Sequence, residues 1–342
     1  MSARSTITDV AAEAGVSIST VSLVLNGKGP VAEKTRASVE AAATRLGYIP
    51  SRSARRLGVQ RTGNVGFVLQ EQHFLLSEPF YTRVFLGAEF EARRRNLYVL
   101  LATIPERYNP ETDAPRFLTE HTVDGVLVAG GVDVTFLEAL AERHIPFVLA
   151  DFRWGDAPNV MVDNEAGAEA VARHFIARGY TTAAFLGAGL EHPSPRARQD
   201  AFCRAMASAG FPVRQEHVIT GGGPADRVNG YALARHLIAE PDGRPDAVFC
   251  ANDALALGVL DRVREAGLVI PADLAIAGFD DVEGGASARP SLTTVRVYKE
   301  QLGEVTLRTL HDLVEHPGTH PRFDHGASVT HISTALIVRE SS

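Results

Sequence analysis

Two sets of residues in this chain could do chemistry, and in both sets the chemistry is binding. Ser17, Ile18, Ser19, Thr20 and Ser22 crowd small, mostly hydroxyl-bearing side chains into one short stretch. At the start of a helix such side chains allow close approach to base edges and phosphates. Ser51-Arg52-Ser53-Ala54-Arg55-Arg56-Leu57 sets three arginines beside a leucine. Arginines suit the negative minor groove, and an apolar wedge such as Leu57 can unstack a base step and bend the duplex. Further along, Arg198 offers five fixed donors, Asn252 follows a strand-like run, and Asp280 follows the strand-like AIAGF. Guanidinium, amide and carboxylate together suit a polyhydroxyl ligand, whose neighbouring hydroxyls donate and accept at once. Phe80 and Tyr81 in SEPFY supply aromatic faces that can stack on a sugar or a base, so a purine or another small metabolite is the alternative to a sugar.

No catalytic set accompanies them. The chain contains no G-x-S-x-G, no H-E-x-x-H and no G-x-x-x-x-G-K. Gly187-Ala188-Gly189 lacks the third glycine of a dinucleotide fingerprint and runs into Leu190-Glu191-His192-Pro193 instead of a helix. His311, His316, His320, His325 and His331 are four to six residues apart in what reads as a Pro/Gly-rich loop, which is poor ligand geometry. No enzyme, cofactor or metal is therefore expected.

The elements that must position the first set are legible. In TITDVAAEAGVSISTVSLVLNGKG, Thr6 and Asp9 can cap a helix that Gly15 ends, and a second helix opens at Ser17. Two residues between helices set a steep crossing, as in a helix-turn-helix. Val10, Ala11, Ala14, Val21, Val24 and Leu25 form apolar faces at spacings of three and four. A third helix, with Thr35, Val39, Ala42, Ala43 and Leu46 on one stripe, closes a small core before Gly47 and Pro50. The arginine-rich segment that follows would make a helix of roughly seven residues, marginal in water and expected to form on DNA.

TITDVAAEAGVSISTVSLVLNG, KTRASVEAAATRLGYIP and the segment ending in Leu57 resemble the lactose-repressor (LacI) family of bacterial transcription regulators, and the resemblance runs through the whole chain. It implies an α-helical helix-turn-helix head at 1–50, a hinge helix and linker at 51–62, and a sensor domain at 63–342. That domain would have two α/β lobes like those of periplasmic binding proteins, with parallel sheets and chain crossings near Asp163, Ser291 and Phe323. It implies DNA contacts from Thr6, Ser17, Ile18, Ser19, Thr20, Ser22, Asn26, Arg52, Arg55, Arg56 and Leu57. Phe80, Tyr81, Arg198, Asn252 and Asp280 fall on positions that touch the effector in the family, with His192, Ser194 and the crossing residue Asp163 beside them. Leu23 stands where the family usually has arginine, and Ala32 where it has a capping serine. A ligand-responsive repressor follows as the expectation, with double-stranded operator DNA and a small molecule as partners.

Composition agrees. The chain has 342 residues, 45% of them hydrophobic, enough for more than one core. Residues 1–61 hold nine Lys/Arg against four acids, a charge of +5, so the rest carries −12 of the −7 total. A basic head on an acidic body favours polyanion binding by the head alone. Cys203 and Cys250, far apart in apolar surroundings, argue against a disulfide framework and for a cytoplasmic protein, as does the lack of a long apolar run or a secretion signal. Beyond Gly63 the expected order is strand NVGFVLQ, helix FYTRVFLGAEFEARRRN, strands LYVLLAT and VDGVLVAG, helix DVTFLEALAERH and strand IPFVLAD. Helix NEAGAEAVARHFIARG, strand TTAAFLG, a helix from Arg198 to Ala209, strand EHVIT, helix GYALARHLIAE, strand DAVFCA, helix NDALALGVLDRVREAG and strand DLAIAGF follow. This alternation is a parallel-sheet pattern whose ligands lie beyond the carboxyl ends of the strands. Asp253 reads as the cap of NDALALG and Trp154 as a packing residue. A strand-like STALIVRE, with no leucine heptad after it, points to a dimer. A solute-binding protein would share the lobes but leave the head unexplained.

Overall fold

The computed structural model describes residues 5–25, 29–48, 61–75, 80–238, 243–316 and 329–342. These fall into two compact units, Met1–Gly63 with Thr122–Asp124, and Asn64–His121 with Gly125–Ser342.

In the first unit, helix α1 spans Ile7–Ala14, α2 Ile18–Leu25 and α3 Glu33–Arg45. A reciprocal capping box starts α1: the Asp9 N–H donates to the Thr6 hydroxyl, and the Thr6 N–H donates to the Asp9 carboxylate at 2.7 Å. Gly15 ends it at φ 67°, a left-handed conformation that costs a side chain with a Cβ but not glycine. The axes of α1 and α2 turn through 102°. Val10, Ala11, Val21, Val24, Val39, Ala42 and Ala43 bury the faces the spacing assigned to the core, with Ala14, Leu25 and Leu46 packed beside them. Ala32 gives α3 no side-chain cap.

The second unit has two six-stranded sheets. The first runs β11-β5-β4-β3-β1-β2, from strands Asn64–Gln70 (β1), Tyr98–Ile104 (β2), Val126–Ala129 (β3), Phe147–Ala150 (β4), Asn159–Val162 (β5) and Val329–Ile332 (β11). The second runs β12-β10-β9-β8-β6-β7, from Ala183–Ala188 (β6), Val218–Gly221 (β7), Ala247–Cys250 (β8), Ala275–Asp280 (β9), Thr293–Val297 (β10) and Thr334–Ile337 (β12). Every pairing is parallel except β10 with β12. Near-continuous burial along β1, β3, β4, β6, β8 and β9 is what a sheet covered on both faces requires.

The chain passes between the sheets at Asp163, at Tyr298 and at Ser333. The passage expected at Ser291 comes later because Thr293–Val297 still pairs with β9; Phe323 lies outside the described residues, and the passage at Ser333 separates β11 from β12. Helices α4 (Glu71–Leu75) and α5 (Phe80–Arg94) follow β1, α6 (Arg116–Thr119) and α7 (Val134–Glu142) flank β3, and α8 (Asn164–Ala177) opens the second lobe. There α9 (Pro193–Ser208) starts five residues before Arg198, and GYALARHLIAE breaks at Ala234 into α10 (Arg227–Leu233) and α11 (Arg235–Ile238). Helix α12 is Asp253–Glu265 and α13 Glu283–Ser287.

Helix α14, Lys299–Glu315, returns to the first lobe and lies backbone to backbone on α5. A Cβ at Gly87 would come 1.9 Å from the Glu300 carbonyl oxygen, and one at Gly303 would come 1.8 Å from that of Val84, so only glycine permits this approach. His311 is therefore on a helix, His316 caps its end and His331 is on β11; they do not share the loop the sequence suggested, and His320 and His325 lie outside the described residues. Cys203 and Cys250 are unpaired, and burial pushes the Cys203 thiol up to about 11. Among the described residues no single helix is long and apolar enough to cross a membrane.

Candidate functional site

At the start of α2 the Ser17 hydroxyl accepts the Thr20 N–H at 3.1 Å and lies 2.9 Å from the Thr20 hydroxyl, so these two side chains cap the helix and hold each other. Ser17, Ile18 and Ser19 are exposed, while Thr20 and Ser22 are half-buried. Ile18, 47% exposed, and Leu23, 42% exposed, are apolar groups on the surface of this helix. Thr6 is exposed at the start of α1 but is occupied as its cap. Asn26, Arg52, Arg55, Arg56 and Leu57 lie outside the described residues.

In the second unit the carboxyl ends of strands from both sheets come together. Asp151 follows β4 at φ 57° and is 4% exposed. Its Oδ1 accepts the Ser194 hydroxyl at 2.7 Å, and its Oδ2 accepts the Tyr81 hydroxyl at 3.3 Å. Ser194 belongs to α9 of the second lobe and Tyr81 to α5 of the first, so one carboxylate ties the two lobes. Burial pushes the Tyr81 phenol well above its ordinary value, and the neighbouring Asp151 charge pushes it further.

On the second lobe Arg198 is 4% exposed. Its Nε donates to Asn164 at 2.8 Å, its Nη1 donates to the Ala251 carbonyl at 2.6 Å, and its Nη2 stands 3.6 Å from Asp280 Oδ1. The guanidinium carbon lies over the Phe279 ring, 3.7 Å from its centroid. Asp280 adopts φ 111°, and Lys299 at the second passage donates to its carbonyl oxygen. Burial raises the Asp280 carboxyl from its ordinary value, against the lowering pull of Arg198 and Lys299.

His192 caps α9, its Nδ1 accepting the Ser194 N–H at 3.2 Å. The ring reaches across to the first lobe, 6.0 Å from Phe152 centroid to centroid and within 3.5 Å of a Cβ built on Gly131. His73 of α4 lies 5.0 Å from the Tyr81 ring. Burial lowers both imidazoles, and His192 lowers His73 further, so both are neutral at pH 7.

Several expectations need correction. Asn252, expected at the ligand, caps α12 by accepting the Leu255 N–H and donates to the Ala225 carbonyl, so both ends of its amide serve the fold. Asp253 is fully buried and is not that cap; it accepts the Thr294 hydroxyl at 2.5 Å and the Val282 N–H at 2.8 Å, and burial holds its carboxyl well above the ordinary range. Asp163 caps α8 through the Ala166 N–H. Tyr81 is buried, with Phe80 edge-on to it at 5.0 Å, so its ring is no open stacking platform. Phe80 is half-buried, with the Lys299 ammonium 5.7 Å from its ring. Trp154 packs on Phe147, in keeping with the packing role expected of it. Asp151, His73 and Asn164 were missed: VLAD reads as an ordinary strand end, and nothing local marks a partner 43 residues away. Among the described residues no cluster of His, Cys, Asp and Glu could hold a metal.

Residues 6–51 match the model of bacterial regulatory proteins of the lacI family, and residues 172–342 match that of the periplasmic binding protein-like domain. The chain is 31% identical over 342 residues to an HTH-type transcriptional repressor PurR of Vibrio vulnificus (strain CMCP6), covering 98% of each chain. It superposes on a lac repressor dimer bound to operator and the anti-inducer ONPF with a TM-score of 0.80 at 25% identity, covering 98% of each. A complex of the transcriptional regulator CelR with cellobiose gives a TM-score of 0.73 at 28% identity, covering 99% of this chain and all of that one.

Proposed function

The chain belongs to the lacI family of bacterial regulatory proteins and is a DNA-binding transcriptional regulator; from that premise we propose that it is a cytoplasmic repressor. It binds a near-palindromic operator as a homodimer and is controlled by a small molecule closed between its two lobes. Its chemistry is binding, not turnover. Ser17, Ile18, Ser19, Thr20 and Ser22 read the major groove, and the basic segment through Leu57 follows the minor groove. Leu86 and Phe90 on α5 and Tyr98 and Leu101 on edge strand β2, each at least 41% exposed, supply the apolar face for a second copy.

The observation that carries the reading is that polar groups of both lobes converge: Tyr81 and Asp151 from one, His192, Ser194, Arg198 and Asp280 from the other. A ligand gripped from both sides stabilises one lobe arrangement over another, which is the requirement for control. A sugar fits this set best. Donors and acceptors dominate, and the aromatic faces are largely taken, that of Phe279 by Arg198 and that of Tyr81 by its neighbours. A purine is the second reading, favoured by the relatives named PurR.

A bandshift with the protein's own upstream promoter DNA tests this, repeated with cellobiose, ribose, hypoxanthine and guanine. A shift altered by one of the sugars is expected. Alteration by a purine alone supports the second reading, and no shift at any concentration contradicts the regulator–operator assignment.

A further inference from the structure

Two buried polar atoms where the lobes meet have no hydrogen-bond partner among the described residues: His192 Nε2 and Asp280 Oδ1. A buried polar group costs stability unless it is satisfied, so such atoms at a ligand site mark where a ligand completes the network. Their chemistry is complementary. His192 is neutral, and its Nδ1 accepts the Ser194 N–H, so its single ring proton sits on Nε2 and makes that atom a donor. Asp280 Oδ1 is an acceptor.

Among the described residues the two cations here, Arg198 and Lys299, face two carboxylates, Asp151 and Asp280. Arg198 is held by Asn164, Ala251 and Asp280, and Lys299 by the Asp280 carbonyl, while Asp151 and Asp280 add negative charge to the same space. A carboxylate or phosphate entering here would meet no uncompensated positive charge and would lie among carboxylates. We infer that the effector is uncharged and that His192 selects it: a ligand oxygen accepts from Nε2–H while a ligand hydroxyl donates to Asp280. This rests on the cleft reading above and narrows it to neutral sugars, excluding sugar phosphates. His192 thus has two separate duties, capping α9 through Nδ1 and recognising ligand through Nε2.

Two substitutions separate the duties. Asparagine keeps an acceptor near the Nδ1 position and loses the distal donor; glutamine keeps a donor near the Nε2 position and loses the cap. The full-length protein, its His192→Asn and its His192→Gln are titrated calorimetrically with D-glucose, D-ribose and cellobiose, and with D-glucose 6-phosphate and D-ribose 5-phosphate. At least one neutral sugar binds the wild type and neither phosphate ester does. His192→Asn keeps the wild-type melting temperature but weakens that sugar tenfold or more, whereas His192→Gln binds it within threefold. A phosphate ester bound as tightly as the neutral sugars, or a His192→Asn protein with wild-type affinity, overturns the inference while leaving the cleft reading intact. A panel in which nothing binds contradicts the sugar reading itself. Independently of any ligand, 15N spectra of histidine-labelled protein, with the resonance assigned by its loss in His192→Gln, report the proton on Nε2 at pH 7.5. A proton on Nδ1, or on both nitrogens, overturns the donor assignment.

Discussion

Asp151 Oδ1 and the Ser194 hydroxyl, 2.7 Å apart, join the first lobe to the second through a carboxylate that is almost wholly buried. Ser194→Ala leaves that oxygen unsatisfied and is expected to cost about 1–3 kcal/mol, the range for stranding a buried acceptor. Urea unfolding followed by circular dichroism checks it; a wild-type midpoint would show that the bond contributes nothing to holding the lobes.

Acid is expected to destabilise the second unit through its histidines. Burial lowers His73, His174 and His192, so the unfolded chain takes up protons near the ordinary imidazole value while the folded chain stays neutral. Their contribution is complete above about pH 6.5 and is lost as pH falls through the lowered folded values. The urea midpoint of His73→Gln/His192→Gln should therefore fall less than that of wild type between pH 7 and pH 5. Comparing the two proteins isolates the imidazoles from Asp253 and Asp280, whose raised values act in the opposite sense. Parallel curves would refute the assignment.

The head should separate stability from recognition. Thr6→Ala removes one half of the capping box and should cost about 1 kcal/mol without changing base preference. Substituting exposed Ile18 or Ser19 should change the preferred sequence in a binding selection and leave stability alone. Ile18 variants that select the wild-type sequence would mean that α2 is not the recognition helix.

Phe90, half exposed on α5 one turn from Leu86, tests the homodimer. Phe90→Asp places a charge on the proposed apolar face and should give a monomer by light scattering, with operator affinity at least tenfold weaker by the loss of one half-site. A dimer that persists moves the interface elsewhere.

The head was legible because its signals are local: Thr6 with Asp9, Gly15, and apolar residues at helical spacing all act within a few residues. So were most strands, whose burial on both faces leaves continuous apolar runs. What stayed hidden depends on distant partners. Asn252 and Asp253 are both competent caps, and the choice was made by Thr294 and Val282, which draw Asp253 inward. Helix α14 was not legible because its place on the first lobe comes from Gly87 packing against Glu300 and Gly303 against Val84, more than 200 residues apart. Arg198 and Asp280 were visible as residue types at strand and helix ends, whereas Asp151 gained its place only from the opposite lobe.

The most direct test of the account is a pair of operator titrations, with and without the sugar that binds wild type, on wild type and Asp280→Asn. In wild type the sugar should change operator affinity. Asp280→Asn should bind operator without sugar within about threefold of wild type, under about 1 kcal/mol, and should not respond to the sugar at the concentration that saturates wild type. A variant that responds at the wild-type concentration would contradict control from this cleft.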